Sequence, residues 1–309
     1  MARMPTRFSA IFAGSLWRIM LAAILWGTVG VTTQTLYHLS TTNPLSVGFF
    51  RLALSTPCLL ALSFGLLGRG ALQIARRDLG TLLVIGAMLA LYQACFFASI
   101  ARVGVTVATL VTLCAAPLLV ALLSAIFLGE RLTRPTLWAL LGALVGIICV
   151  VGGQSHARAQ HADLLGVIFA LGSAMGYAMV TLLGRTVAGR YHPLQITTVG
   201  FGFGAIVLLP LALATGFVTT YPVQGWLLLG YLGVVPTALA YGLFMSGLRN
   251  TPATVTSILT LLEPLTATFL AALLFGERLG PLGIVGAGLL VGALLLLARG
   301  ETSQATLTR

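Results

Sequence analysis

Two side chains carry charge deep inside apolar stretches, and they set the chemistry to be explained. Arg51 lies about seven residues into the run 44–67, and Glu263 about ten residues into the run 253–275, directly before Pro264. Ionisable groups in such runs are costly and mark functional sites by default. A carboxylate at this depth could bind a substrate ammonium, or take up and release a proton. It could equally be a protonated or arginine-paired group that caps the kink at Pro264. The planar fork of Arg51 suits a substrate carboxylate, but an arginine there can also snorkel outward or bond carbonyls of a neighbouring helix. An amino acid needs one group for each of its ends, and this pair would supply both.

Other polar and aromatic residues in the runs extend the candidate set. Thr256, Thr260 and Glu263 fall at i, i+4 and i+7, one face of a single helix. Gln34 and Gln93 offer donors and acceptors that lipid cannot satisfy, so they are expected to face the bundle interior. Trp26, Tyr92, Phe96, Tyr177, Tyr241 and Phe244 could wall a cavity for an apolar or aromatic side chain, or serve only in packing. Tyr37, Tyr221 and Trp226 lie at run ends and read as interface residues.

The elements that position these residues follow from composition. The chain of 309 residues is 58% hydrophobic and 7% charged, with a mean hydropathy of +1.04. Soluble domains carry about 25% charged residues, and no soluble fold of this length could bury so much apolar surface. A spanning helix needs roughly 20 apolar residues. Ten segments qualify: 19–37, 44–67, 79–101, 105–128, 135–153, 164–184, 193–217, 225–248, 253–275 and 281–298. The expected fold is therefore an all-α membrane protein of ten transmembrane helices. Phe8 to Trp17 is expected to lie on the membrane surface, and the tail after Arg299 to be irregular. The first run is too long for a signal h-region and reads as a span.

The basic residues are 17 arginines, and net charge is +11. They sit singly or in pairs between runs rather than in a patch with aromatics, which argues against nucleic acid. With the N-terminus inside, thirteen of them fall on the inner side and Arg102, Arg158 and Arg278 on the outer side. This bias puts both termini in the cytoplasm of a bacterial inner membrane.

An internal repeat organises the runs. Pro117 leads into Gly129-Glu130-Arg131-Leu132, and Pro264 into Gly276-Glu277-Arg278-Leu279, at an offset of 147 residues that Arg102 and Arg249 also obey. Asn43-Pro44-Leu45 corresponds to His192-Pro193-Leu194 at 149. The units are 19–153 and 164–298, each of five spans, so the second enters the membrane inverted. Sites in inverted-repeat carriers lie near the midplane where helices are interrupted. Pro117 and Pro264 each remove a helix hydrogen bond there, as hinges or as simple kinks. Glu130 and Glu277, each followed by arginine at a run end, read as structural clasps or topology markers.

These strings resemble the EamA repeat of the drug/metabolite transporter superfamily. Leu25-Trp26-Gly27, Phe50-Arg51-Leu52 and Pro236-Thr237-Ala238-Leu239-Ala240-Tyr241 add to the likeness, which spans nearly the whole chain. The resemblance, greatest to ten-helix exporters of amino acids including aromatic ones, implies alternating access through a central cavity. It leaves the cargo open among amino acids, nucleosides, sugar phosphates and drugs. Ala116 stands where the second half has Glu263, so the halves cannot bind ligand symmetrically.

Rival classes fare poorly. His38, His156, His161 and His192 lie in loops or at run ends, and the four cysteines fall singly inside runs, so neither an intramembrane hydrolase nor a metal or other cofactor is implied. A channel would need a charged ring or carbonyl filter. Small-xxx-small faces at Gly142/Gly146, Gly172/Gly176, Gly200/Gly204 and Gly288/Gly292 fit internal packing of a monomer, with a dimer as the alternative.

Overall fold

A computed structural model describes residues 6–129, 134–153, 163–248, 251 and 253–307. The expectations for Arg3, Glu130, Arg131, Leu132, His156, Arg158, His161, Arg249 and Arg309 lie outside them. The described chain is all-helical: α1 (Thr6–Leu39), α2 (Pro44–Leu67), α3 (Leu79–Leu128), α4 (Arg134–Gly152), α5 (Leu164–Val187), α6 (Pro193–Ala214), α7 (Val223–Gly233), α8 (Ala240–Leu248), α9 (Ala253–Thr260), α10 (Leu262–Phe275) and α11 (Pro281–Leu307). A π-helical turn, Val234–Leu239, joins α7 to α8.

Among the described residues, seven helical stretches are long and apolar enough to cross a membrane. Thr136–Gly152 and Pro281–Leu296 are shorter apolar helices. The difference from the expected count of ten has two causes. The short helices fall below a span's usual length, and the third and fourth expected spans form one continuous stretch. At 1.5 Å per residue, the 50 residues of α3 would measure roughly 75 Å if straight, over twice the apolar core of a bilayer. Gly104 breaks that line with φ of 80° and ψ of 175°, in the left-handed half of conformational space that glycine alone tolerates well.

Local sequence explains the helix starts. Asn43 caps α2 by accepting from the Ser46 amide, and His192 caps α6 by accepting from Leu194, each just before a proline in the first turn. Two expectations at the termini are corrected. Helix α1 runs unbroken from Thr6, so Phe8 to Trp17 is not a separate surface segment, and α11 continues past Arg299 to Leu307.

Large apolar side chains cover the outside. Phe127, Trp138, Leu227, Phe269 and Leu273 are each about two-thirds exposed, which suits a surface solvated by lipid rather than water. Inside, α3 packs on α5 and α6, α2 on α6, α4 on α11, and α1 on α8 and α10. Glycines permit the closest approaches: a Cβ on Gly146 would meet the Gly286 carbonyl at 3.0 Å, one on Gly176 the Tyr92 amide at 2.9 Å, and one on Gly204 the Gly86 carbonyl at 3.0 Å. Tyr221, expected at the interface, is buried instead. Its hydroxyl is 2.6 Å from that of Thr42, and its ring packs edge-on against Phe50 and Trp226.

Candidate functional site

The break between α9 and α10 sets the site. Leu261 donates to the Ile258 carbonyl, three residues back, and Pro264 has no N–H to give to Thr260. Glu263 thereby falls in the first turn of a new helix, where the positive end of the backbone dipole favours an anion. The interruption falls between Thr260 and Glu263, which the sequence placed on one helix face. Neither Thr256 nor Thr260 is among the residues that line the cavity Glu263 reaches. Pro117, at the equivalent place, sits within a stretch that stays helical, so the expected pair of interruptions is present only in the second half.

Arg51 is held from two sides. It is 5% exposed, and its Nη1 donates to Gln93 Oε1 at 2.9 Å while Nε donates to Thr237 Oγ1 at 3.5 Å. The guanidinium also lies 5.9 Å from the centre of the Phe97 ring. Thr237 is available through the π-helical turn. Pro236 cannot donate to the Leu232 carbonyl, and the Thr237 hydroxyl does so instead at 2.8 Å.

Arg51 and Glu263 line one narrow cavity, with room for about one water, together with Trp26, Gly27, Val29, Gly30, Tyr92, Phe96, Thr109 and Ala267. The two charges interact, yet no ion pair joins them. The described ion pairs are Arg77–Asp78 and Arg190–Asp78, in the connections between helices, and Arg102–Asp163, from α3 just before Gly104 to the residue that caps α5.

The remaining expected residues lie outside the cavity lining. Tyr241 and Phe244 pack on Trp26 with ring centroids 5.4 and 5.0 Å away. Tyr177, 41% exposed, meets Tyr92 edge-on at 5.6 Å. Gln93 is spent on Arg51. Gln34 is buried outside the cavity, its Nε2 3.3 Å from His38 Nε2. Gly27, Gly30 and Thr109 escaped sequence reasoning. A Cβ at Gly27 would lie 2.7 Å from the Glu263 carbonyl, and one at Gly30 would lie 2.6 Å from Val105, so both glycines let α1 close the cavity wall. The only signal for Gly27 was its place beside Trp26.

Glu277 acts outside the cavity. Its carboxylate accepts from the Val105 and Thr106 amides at 3.0 and 2.9 Å, capping the helix that restarts after Gly104. At the other end of α3, Asp78 accepts from Arg190 at 2.8 Å and from the Tyr191 hydroxyl at 2.7 Å. These bonds, the Tyr191 contact foremost, hold the Asp78 carboxyl below the usual range.

The arrangement of charged cavity, lipid-facing exterior and broken helices is that of a membrane carrier, and comparison with known proteins gives it a family. The EamA-like transporter family matches residues 13–152 and again residues 164–299. The chain belongs to that family. An uncharacterised transporter of Bacillus subtilis, YwfM, is 31% identical over 93% of this chain and 95% of its own length. A pseudopaline exporter of Pseudomonas aeruginosa, CntI, is 29% identical over 70% of this chain and 73% of its own. A solved crystal structure superposes with a TM-score of 0.64 at 20% identity, covering 94% of this chain and 99% of that one, a likeness of fold. This EamA protein is thus a membrane-embedded transporter with several apolar helices.

Proposed function

We propose that this transporter exports α-amino acids, apolar or aromatic ones foremost, by alternating access through the cavity that Arg51 and Glu263 share. The observation that carries this reading is a pair of opposite charges lining one cavity without an ion pair between them. A zwitterion placed between them presents its carboxylate to Arg51 and its ammonium to Glu263. Either charge alone would be costly to bury; the cargo neutralises both. Trp26, Tyr92 and Phe96 supply an apolar wall for the cargo's side chain.

The carrier has ten spans in this reading, as inverted units 19–153 and 164–298, with both termini cytoplasmic in a bacterial inner membrane. Gly104 supports it by dividing α3 into two lengths, and the repeated family match supports two units. It works as a monomer, since three of its small-residue faces are used in internal packing. Pro264, with the adjacent break at Leu261, is the hinge. The pseudopaline-exporter relative favours a second reading, in which the cargo is a broader class of metabolite or drug.

Purified protein in liposomes loaded with single labelled amino acids separates the two. Export of apolar amino acids that cationic dyes do not inhibit supports the first reading. Dye export that amino acids fail to inhibit supports the second.

A further inference from the structure

One more polar residue lines the cavity, and neither charge uses it. Thr109 lines the wall, is 3% exposed, and its hydroxyl oxygen has no hydrogen-bond partner. Several threonines in the spans spend the hydroxyl on their own helix: Thr32, Thr33, Thr56 and Thr198 each donate to the carbonyl four residues back. An unpaired buried hydroxyl is costly and calls for a partner. Gln34, Ser99, Thr106, Ser173 and Thr268 also carry unpaired oxygens, but none of them lines the cavity.

Helix α1 fixes where Thr109 stands relative to Glu263. A Cβ on Gly30 would lie 3.6 Å from Thr109 Oγ1, and one on Gly27 would lie 2.7 Å from the Glu263 carbonyl. Gly27 and Gly30 are neighbours on one face of α1, separated by about 5 Å of rise. Thr109 and Glu263 therefore flank the cavity on successive turns of that face.

We propose that the Thr109 hydroxyl binds substrate, accepting a hydrogen bond from the same ammonium that Glu263 neutralises. The inference rests on the amino-acid reading above. An ammonium carries three donors. The carboxylate takes one or two of them, and the hydroxyl takes another, so the two side chains form a cradle selective for a primary amine.

The test is uptake of labelled L-phenylalanine and of its N,N-dimethyl form into liposomes containing wild type, Thr109→Val, Thr109→Ala or Thr109→Ser. For phenylalanine, the Val and Ala variants are expected to raise KM about tenfold, the worth of one hydrogen bond to a charged group, and the Ser variant to stay within about twofold because its hydroxyl remains. Dimethylation removes donors, so it should penalise wild type and the Ser variant strongly and the Val and Ala variants far less. A merely structural role would shift both substrates equally. The inference is overturned if Thr109→Val matches wild type, or if the methylation penalty is the same in both. Wild type that carries no amino acid at all overturns the amino-acid reading and this inference together; flux that is indifferent to Thr109 overturns the inference alone.

Discussion

The stretch Leu79–Leu128 and its counterpart at an offset of 147 residues, 226–275, share a sequence pattern but not a backbone. The first is two helices that meet at the non-helical Gly104, and the later one passes over Pro117 without interruption. The second has a π-helical turn at Val234–Leu239 and a further turn at Leu261, besides the bend at Thr251 that stands where the first has Gly104. Pro236 has no counterpart in the first stretch, where Leu89 stands; Glu263 has Ala116. The difference shows where the chemistry settles. The turn at Pro236 presents Thr237 to Arg51, and the break at Leu261 places Glu263 at a helix start. The continuous half supplies Tyr92, Phe96 and Thr109 as a wall. Breaking a helix inside a membrane is tolerated where protein or a cavity satisfies the freed backbone, and both breaks lie against the cavity or the group that reaches into it.

Substitutions that level this asymmetry should do most harm. Glu263→Gln is expected to lower amino-acid flux about a hundredfold, since a buried charge partner for the ammonium is lost. Adding Ala116→Glu should not restore flux, because Ala116 is buried in the continuous helix; recovery in the double variant would mean the halves are interchangeable. Next is Arg51→Met, which strands the Gln93 carbonyl and should cost about 2 kcal/mol of stability, read as a lowered midpoint of thermal unfolding. The same variant should lose transport of carboxylate-bearing cargo.

The bend at Gly104 is a sharper and smaller test. A Cβ there would lie 2.5 Å from Glu277 Oε1 at a positive φ, so Gly104→Ala should cost about 1–2 kcal/mol. Glu277→Gln should cost about 1 kcal/mol by weakening a charged cap. The combined loss should be less than additive, because both act on one contact. The smallest effect concerns acid. Asp78 titrates below its unfolded value, so its contribution is full above the ordinary carboxylate range and fades as pH falls through the lowered value. The unfolding midpoint of wild type should therefore drop on acidification more steeply than that of Asp78→Asn.

The sequence made the spans legible because lipid demands long apolar runs, and it exposed Arg51 and Glu263 because charge in such runs is rare. Trp26, Tyr92 and Phe96 were legible as bulky groups at depth, but their division from Tyr177, Tyr241 and Phe244 needed the packing. Gly27, Gly30 and Thr109 were hidden for a physical reason: small residues in an apolar run look alike until it is known which helix approaches them. The break next to Pro264 was legible, but that Pro117 would leave its helix unbroken was not, because the two prolines present the same local chemistry and yet leave different backbones. Glu277 read as a clasp from its place at a run end, while its partner amides, 171 and 172 residues away, were visible only in the fold.

The most direct measurement is equilibrium binding of three ligands to purified protein: phenylalanine, its deaminated analogue and its decarboxylated analogue, each with Arg51→Lys and Glu263→Gln. If one cavity holds both ends of a zwitterion, Glu263→Gln weakens phenylalanine and the amine but leaves the deaminated acid untouched. Arg51→Lys does the reverse. Loss of all three ligands to the same degree in both variants would contradict the account.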